Sequence, residues 1–172
     1  MKGTIKVEST VGEGSSFTVV LPFEIDHDPP AVETRFTQNG DLCGKRLLVV
    51  EDNELNREIA YELLSESGLI VDVAENGQEA IKLLGIRPEN YYELIFMDIQ
   101  MPVMNGYEAT ANIRAGESDY WKTIPVIAMT ANVFQEDESR AAECGMSDYV
   151  TKPIDMNVIY SVLEKWLRGQ KG

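Results

Sequence analysis

The chain has 172 residues, of which 44% are apolar and 26% charged, the balance of one globular domain with a modest appendage. That excludes a disordered chain, a collagen-like chain and a disulfide-knotted miniprotein. Fifteen basic residues against twenty-nine acidic ones give a net charge of −14. Such a surface repels phosphate backbones and anionic lipid, so no nucleic-acid partner and no direct membrane contact are expected. The carboxylate excess favours a hard-cation site. Cys43 and Cys144 are too few for a disulfide framework and fit a reducing cytoplasm. No stretch approaches the roughly 18 apolar residues of a membrane span. The N-terminus also lacks the apolar core of a signal peptide.

Composition divides the chain near residue 44, with a net charge of −4 before it and −10 after it. Ile5-Lys6-Val7-Glu8 and Phe17-Thr18-Val19-Val20-Leu21 alternate with period two around the Gly/Ser stretch Val11 to Ser16. That spacing predicts a β-hairpin within residues 1–25. A lone hairpin is marginal in water, so it is expected to lean on another element. Residues 26–44 carry Asp26-His27-Asp28-Pro29-Pro30 and no apolar period, which predicts a linker.

From 45 to 172 the pattern alternates between strands and helices. Leu47-Leu48-Val49-Val50 reads as a strand buried on both faces. Leu55, Ile59, Leu63 and Leu64 recur at helical spacing before Gly68. Leu69 to Val73 is a second strand, 77–84 a helix, and Leu94 to Met97 a third strand ending at Asp98. A helix over Gly106 to Arg114, a strand over Pro125 to Met129 and a polar helix from Phe134 to Cys144 follow. Tyr149-Val150 is a brief fifth strand, and Val158, Leu163 and Trp166 mark a last helix. Five strand–helix units predict an α/β fold, a doubly wound parallel sheet. The common small order 2-1-3-4-5 opens a crevice where the first and third strands diverge.

The chemistry-bearing residues stand at the carboxyl ends of these strands. Glu51-Asp52 ends the first, Asp98 the third, Thr130 the fourth and Lys152 the fifth. Singly, each is ordinary: an acid at a helix N-terminus, a turn residue, a cap or a surface charge. Together they meet at the sheet edge where ligands bind. Three carboxylates there repel one another. A divalent oxygen-loving cation relieves this, and Mg²⁺ suits a site with no His or Cys nearby. A lysine and a hydroxyl beside it suit phosphoryl transfer, which needs positioned charge.

The stretch from Lys45 to about Gly169 resembles the receiver domain of two-component response regulators. Val50-Glu51-Asp52-Asn53, the run from Met97-Asp98 through Met101-Pro102 to Asn105-Gly106, Met129-Thr130-Ala131 and Thr151-Lys152-Pro153 carry the likeness. The resemblance implies Asp98 as phosphate acceptor, with Asp52, Glu51 (mainly through water), Asp98 and the carbonyl of Gln100 around Mg²⁺. It implies that Thr130, beside Ala131, and Lys152 hold the phosphoryl oxygens. Tyr149 would be the aromatic that rotates on activation, and the bond before Pro153 would be cis. Output would then run through residues 134–168. Asn56 and Arg57 look like those of receivers fused to hybrid histidine kinases. Gly3-Thr4-Ile5 through Gly14-Ser15-Ser16-Phe17 and Leu21-Pro22 resemble the end of a kinase ATP-binding domain. The chain is thus expected to join a kinase tail, a linker and a receiver, in the cytoplasmic part of a sensor kinase. No ATP binding or self-phosphorylation is expected from the chain alone.

Two other readings use the same residues. A receiver-shaped interaction module that takes no phosphate would not need an intact acceptor, metal and lysine set. A phosphatase with an aspartyl nucleophile, resembling haloacid dehalogenases, needs Asp-x-Asp, and Gln100 stands where its second acid belongs. His27, flanked by acids and prolines, reads as a linker histidine rather than a donor. The expected donor is a histidine kinase core or a histidine phosphotransfer protein. It would dock on the first helix at Leu55, Asn56 and Ile59. The oligomeric state is not encoded in any motif.

Overall fold

A computed structural model describes residues 3–12, 14–22, 42–131 and 140–168. The chain forms two compact units, Met1–Thr37 and Gln38–Gly172. His27 lies outside the described residues, as do most of the linker and the first part of the helix expected over 134–144.

In the first unit, β1 (Thr4–Thr10) pairs antiparallel with β2 (Gly14–Val20). The turn needs Gly12 at φ +85° and Gly14 at φ +115°, a left-handed region that glycine enters without strain. The register sets Ile5 opposite Val19 and Val7 opposite Phe17, so one face is an apolar ladder. All four side chains are more than half exposed. The other face carries Lys6 and Glu8, 2.6 Å apart and well solvated, a contact worth little.

In the second unit the strands are β3 (Arg46–Val50), β4 (Ile70–Ala74), β5 (Leu94–Asp98), β6 (Val126–Thr130) and β7 (Asp148–Thr151). They form one parallel sheet in the order β4-β3-β5-β6-β7, the expected 2-1-3-4-5 arrangement. The helices are α1 (Glu54–Glu66), α2 (Gly77–Ile86), α3 (Gly106–Arg114), α4 (Asp119–Thr123) and α5 (Met156–Arg168). Period-two alternation sends strand residues to opposite faces. Leu48, Val50, Ile95, Met97, Val126 and Ala128 pack with Ala80 and Leu84 of α2 and Ala109 and Ile113 of α3. Leu47, Val49, Phe96, Ile127 and Met129 pack with Ala60 and Leu64 of α1 and Ile159 and Leu163 of α5. Burial of each large side chain stabilises by roughly 1.5–3 kcal/mol.

Several elements differ from the sequence reading. On α5, Val158 is 41% exposed, and the buried stripe is Ile159, Val162, Leu163 and Leu167, the spacing that covers a helix face. On α1, Leu55 and Ile59 share the helical period yet point outward. The short α4 has no periodic signal at all. Ser118 caps it, and Arg114 fastens its surroundings by donating to the carbonyls of Trp121, Ile124 and Gly145 at 2.8–2.9 Å. Asp72, inside β4, is satisfied by the Tyr92 hydroxyl at 2.6 Å and by Arg87 at 2.8 Å.

Asp148, at the start of β7, accepts from Lys165 at 2.7 Å and from the Trp166 indole at 3.0 Å. Burial alone would raise its carboxyl, but these bonds outweigh burial and hold it below the ordinary aspartate range. A depressed carboxylate stabilises above its unfolded pKa, and that stability disappears as pH falls through the folded value. Asp148→Asn is therefore expected to cost on the order of 1 kcal/mol at pH 7. The gap to wild type should begin to narrow below about pH 4, where an unfolded aspartate protonates, and close only as pH falls through the lower folded value. Urea midpoints at pH 7 and 3.5 check this; an equal gap at both would contradict it.

Candidate functional site

The apolar runs of β3, β5 and β6 give way to polar side chains where the chain exits the sheet, and these exits share one edge with that of β7. β3 continues its pairing one residue further, through the Glu51 amide to the Ala74 carbonyl at 3.0 Å. This buries Glu51, whereas Asp52 turns outward. Asn53 then caps α1, its side chain accepting from the Asn56 amide at 3.1 Å, and ends the acidic pair at a helix N-terminus that favours negative charge. At the end of β5, Asp98 is only 4% exposed. The Gln100 amide donates to its Oδ1 at 3.1 Å. The Lys152 amide donates to the Thr130 carbonyl at 2.7 Å, tying the ends of β6 and β7 together. The Lys152–Pro153 bond is cis.

The Lys152 ammonium lies 2.6 Å from Asp98 Oδ2 and 2.5 Å from Glu51 Oε2. Burial pushes the Asp98 carboxyl above the ordinary aspartate range, despite the Lys152 ammonium and the Gln100 amide. Burial alone would lower the lysine, yet its contacts with Asp98 and Glu51 hold it above its ordinary value. One ammonium therefore serves two buried carboxylates. Carboxylate oxygens of Glu51, Asp52 and Asp98 come within 4.8 Å of one another. Glu51 Oε2 is buried and, apart from the lysine ion pair, has no directed hydrogen bond among the described residues. An all-oxygen donor set with surplus negative charge and an underused oxygen fits a hard divalent cation.

These groups line an open cleft of about 480 Å³ together with Gln100, Thr130 and Ala131. Thr130 is half-buried there, and Ala131 is exposed. Tyr149 is not part of the lining and stands 41% exposed on β7. Asn56 differs from the sequence expectation. Its amide donates to Glu51 Oε1 at 3.1 Å, inside the cleft lining, so it does not simply share the outward face of Leu55 and Ile59. Arg57 likewise has no site role in the sequence reading. It donates to the main-chain carbonyls of Glu51 at 2.8 Å and Asp52 at 3.2 Å. The available signal is position: both residues fall in the first turn after the acidic pair.

The family model of the response regulator receiver domain matches residues 47–164. The chain belongs to this receiver family. The receiver is 38% identical over 146 residues to Probable histidine kinase 5 of Oryza sativa subsp. japonica, covering 74% of this chain and 12% of that protein. It is 32% identical over 171 residues to Hybrid signal transduction histidine kinase L of Dictyostelium discoideum, covering 99% of this chain and 10% of that protein. The chain thus spans a small fraction of the length of these relatives. Among solved structures it resembles the receiver domain of sensor histidine kinase PA1611 from Pseudomonas aeruginosa PAO1, which has a magnesium ion coordinated in its active-site cleft. The two are 33% identical with a TM-score of 0.65 over 73% of this chain and 99% of that one. It also resembles the Saccharomyces cerevisiae complex of the histidine phosphotransfer protein Ypd1 with the receiver domain of Ssk1. Identity is 31% and the TM-score 0.66, over 75% of this chain and 92% of that one.

Proposed function

We propose that this receiver takes a phosphoryl group from a phosphohistidine onto Asp98 as one step of a phosphorelay. The observation that carries the reading is Asp98 itself, a buried carboxylate bonded to Lys152 and set among two further acids. An Asp98 Oδ atom attacks phosphorus as the donor's N–P bond breaks. The imidazole nitrogen keeps the bonding pair, and the ring leaves as neutral imidazole with its proton on the other nitrogen. Glu51, Asp52, Asp98 and the Gln100 carbonyl would hold Mg²⁺, which when bound supplies positive charge to the phosphoryl oxygens. Lys152 supplies a second positive charge, the Gln100 amide orients the acceptor, and Thr130, with Ala131 beside it, receives the phosphoryl oxygens. Tyr149 and the β7–α5 surface carry the response outward as a shift between two packings. The direct test uses acetyl phosphate: a base-labile, hydroxylamine-sensitive acyl phosphate is expected, and only with Mg²⁺. Labelling undiminished by EDTA would contradict the reading.

Residues 1–25 are read as the closing hairpin of a kinase ATP-binding domain, 26–44 as a linker and 45–172 as the receiver. The uncovered apolar ladder and the nearly full-length match to a hybrid kinase support this division. The parent would be a sensor kinase with this part in the cytoplasm. Among the described residues no helix is long and apolar enough to cross a membrane.

The donor is a kinase core or a histidine phosphotransfer protein, the class paired with the yeast receiver. Leu55 at 63% exposure and Ile59 at 43% form an outward apolar step on α1, beside the cleft residues Asn53 and Glu54. Burying such a step on a partner contributes about 25 cal/mol per Å². A Leu55→Ala/Ile59→Ala double variant should slow transfer from a phosphotransfer protein by about tenfold or more, a loss of roughly 1.4 kcal/mol. Acetyl phosphate labelling should change far less. Equal slowing with both donors would remove α1 as the docking face.

A further inference from the structure

We infer that Asn56 and Arg57 are positioning residues for the cation site, resting on the Mg²⁺ reading above. Glu51 is buried, so its carboxylate has few partners to fix its plane. Asn56 Nδ2 holds Oε1 at 3.1 Å, which leaves Oε2 directed at the Lys152 ammonium and the acid cluster. Without that amide, the plane of the carboxylate is free to turn. Arg57 works on the backbone. One of its nitrogens spans the carbonyls of Glu51 and Asp52, fixing the two peptide units that carry the acidic pair.

Both residues occupy positions that local helix chemistry does not favour. A cation in the first turn opposes the helix dipole. Asn is a poorer helix former than the Glu or Gln usual at the third helical position, and those side chains would reach back to the cap. Here the side chains reach past the cap to the acidic pair. The choice of acceptor matters. Arg57 puts positive charge beside the surplus of carboxylates and, among the described residues, bonds main-chain carbonyls rather than the carboxylate oxygens a divalent ion needs. A lysine or arginine bonded to Asp52 itself would compete with the ion. Partners in this outer layer commonly change metal affinity by about 10–100-fold when removed.

The test measures Mg²⁺ affinity directly on the full chain, by amide chemical shifts during a MgCl₂ titration, with thermal melting in EDTA as the check on folding. Asn56→Ala is expected to weaken Mg²⁺ binding by about tenfold or more. Asn56→Gln, which keeps the donor, should recover part of the loss. Arg57→Ala should weaken it too, and Arg57→Lys should recover part of the loss, because both bonds come from one guanidinium nitrogen and an ammonium can also donate to two carbonyls. Melting in EDTA should stay within about 2 °C of wild type for Asn56→Ala. Affinities equal to wild type in both alanine variants would overturn the inference. So would a fall in EDTA melting that tracks the affinity loss, since that is a merely structural role. Absence of Mg²⁺ binding in the wild-type chain would instead overturn the reading on which the inference rests.

Discussion

Asp98→Asn should abolish acyl phosphate formation and, in Mg²⁺-free buffer, raise the melting temperature. Loss of labelling follows because an amide oxygen is too weak a nucleophile to displace the donor's nitrogen. The stability gain follows from counting charges. Glu51 and Asp98 are both buried and share the single Lys152 ammonium, so one buried negative charge is left without a matched partner. Neutralising Asp98 leaves Glu51 and Lys152 as a balanced pair at 2.5 Å. Relief of such an excess is worth about 1 kcal/mol, or about 2–4 °C in a domain of this size. The opposite change, Lys152→Ala, strands two buried carboxylates and should destabilise by about 3 kcal/mol or more. Activity and stability then pull against each other at the same atom. Labelling of the Asp98→Asn protein at the wild-type rate would refute the acceptor assignment. A fall in its melting temperature would refute the charge count.

Gly106→Ala should be the most damaging single methyl in the domain. A Cβ there would run into the carbonyl oxygen of Asp98 and sit 3.0 Å from its carbonyl carbon. The obstacle is main chain, and the Gly106 amide already donates to the Ile99 carbonyl at 3.0 Å, so α3 cannot withdraw without breaking that bond. Overpacking against side chains costs about 1–3 kcal/mol. Against backbone the upper end is the floor, and a drop of about 10 °C is expected. Acetyl phosphate labelling should fall as well, since the clash moves the acceptor's own peptide. Gly85→Ala is the contrast: nothing lies within 4 Å of its would-be Cβ. Replacing an exposed helical glycine gains about 0.5–1 kcal/mol. Melting curves of the two variants side by side settle the point; a Gly106→Ala protein as stable as wild type would show that the close approach of α3 is not required.

The strands and the cleft are legible in the sequence for the same reason. Leu47 to Val50 and Leu94 to Met97 are buried on both faces, so each appears as an unbroken apolar run that stops where the chain leaves the sheet. Whatever polar residue follows is marked by that stop, and Glu51, Asp52 and Asp98 stand out this way. Contacts decided by tertiary structure leave no such mark. α4 depends on Arg114, whose guanidinium collects three carbonyls from beyond its own helix. Periodicity on α1 shows Leu55 and Ile59 but not which side faces inward, because Ala60 and Leu64 supply the buried face. Asn56 carries no sign that its partner is Glu51 rather than a donor protein.

The hairpin's uncovered ladder has a consequence in time. Its backbone bonds are paired along seven residues, but opening it exposes almost nothing that is not already wet, so little free energy resists the opening. Amide protons on β1 and β2 therefore exchange with solvent through frequent local openings. Those on β3, β5 and β6, sealed between two layers of side chains, wait for far rarer ones. A single polypeptide thus holds protons that leave on widely separated schedules, and any surface that covers Ile5, Val7, Phe17 and Val19 would slow the faster set alone.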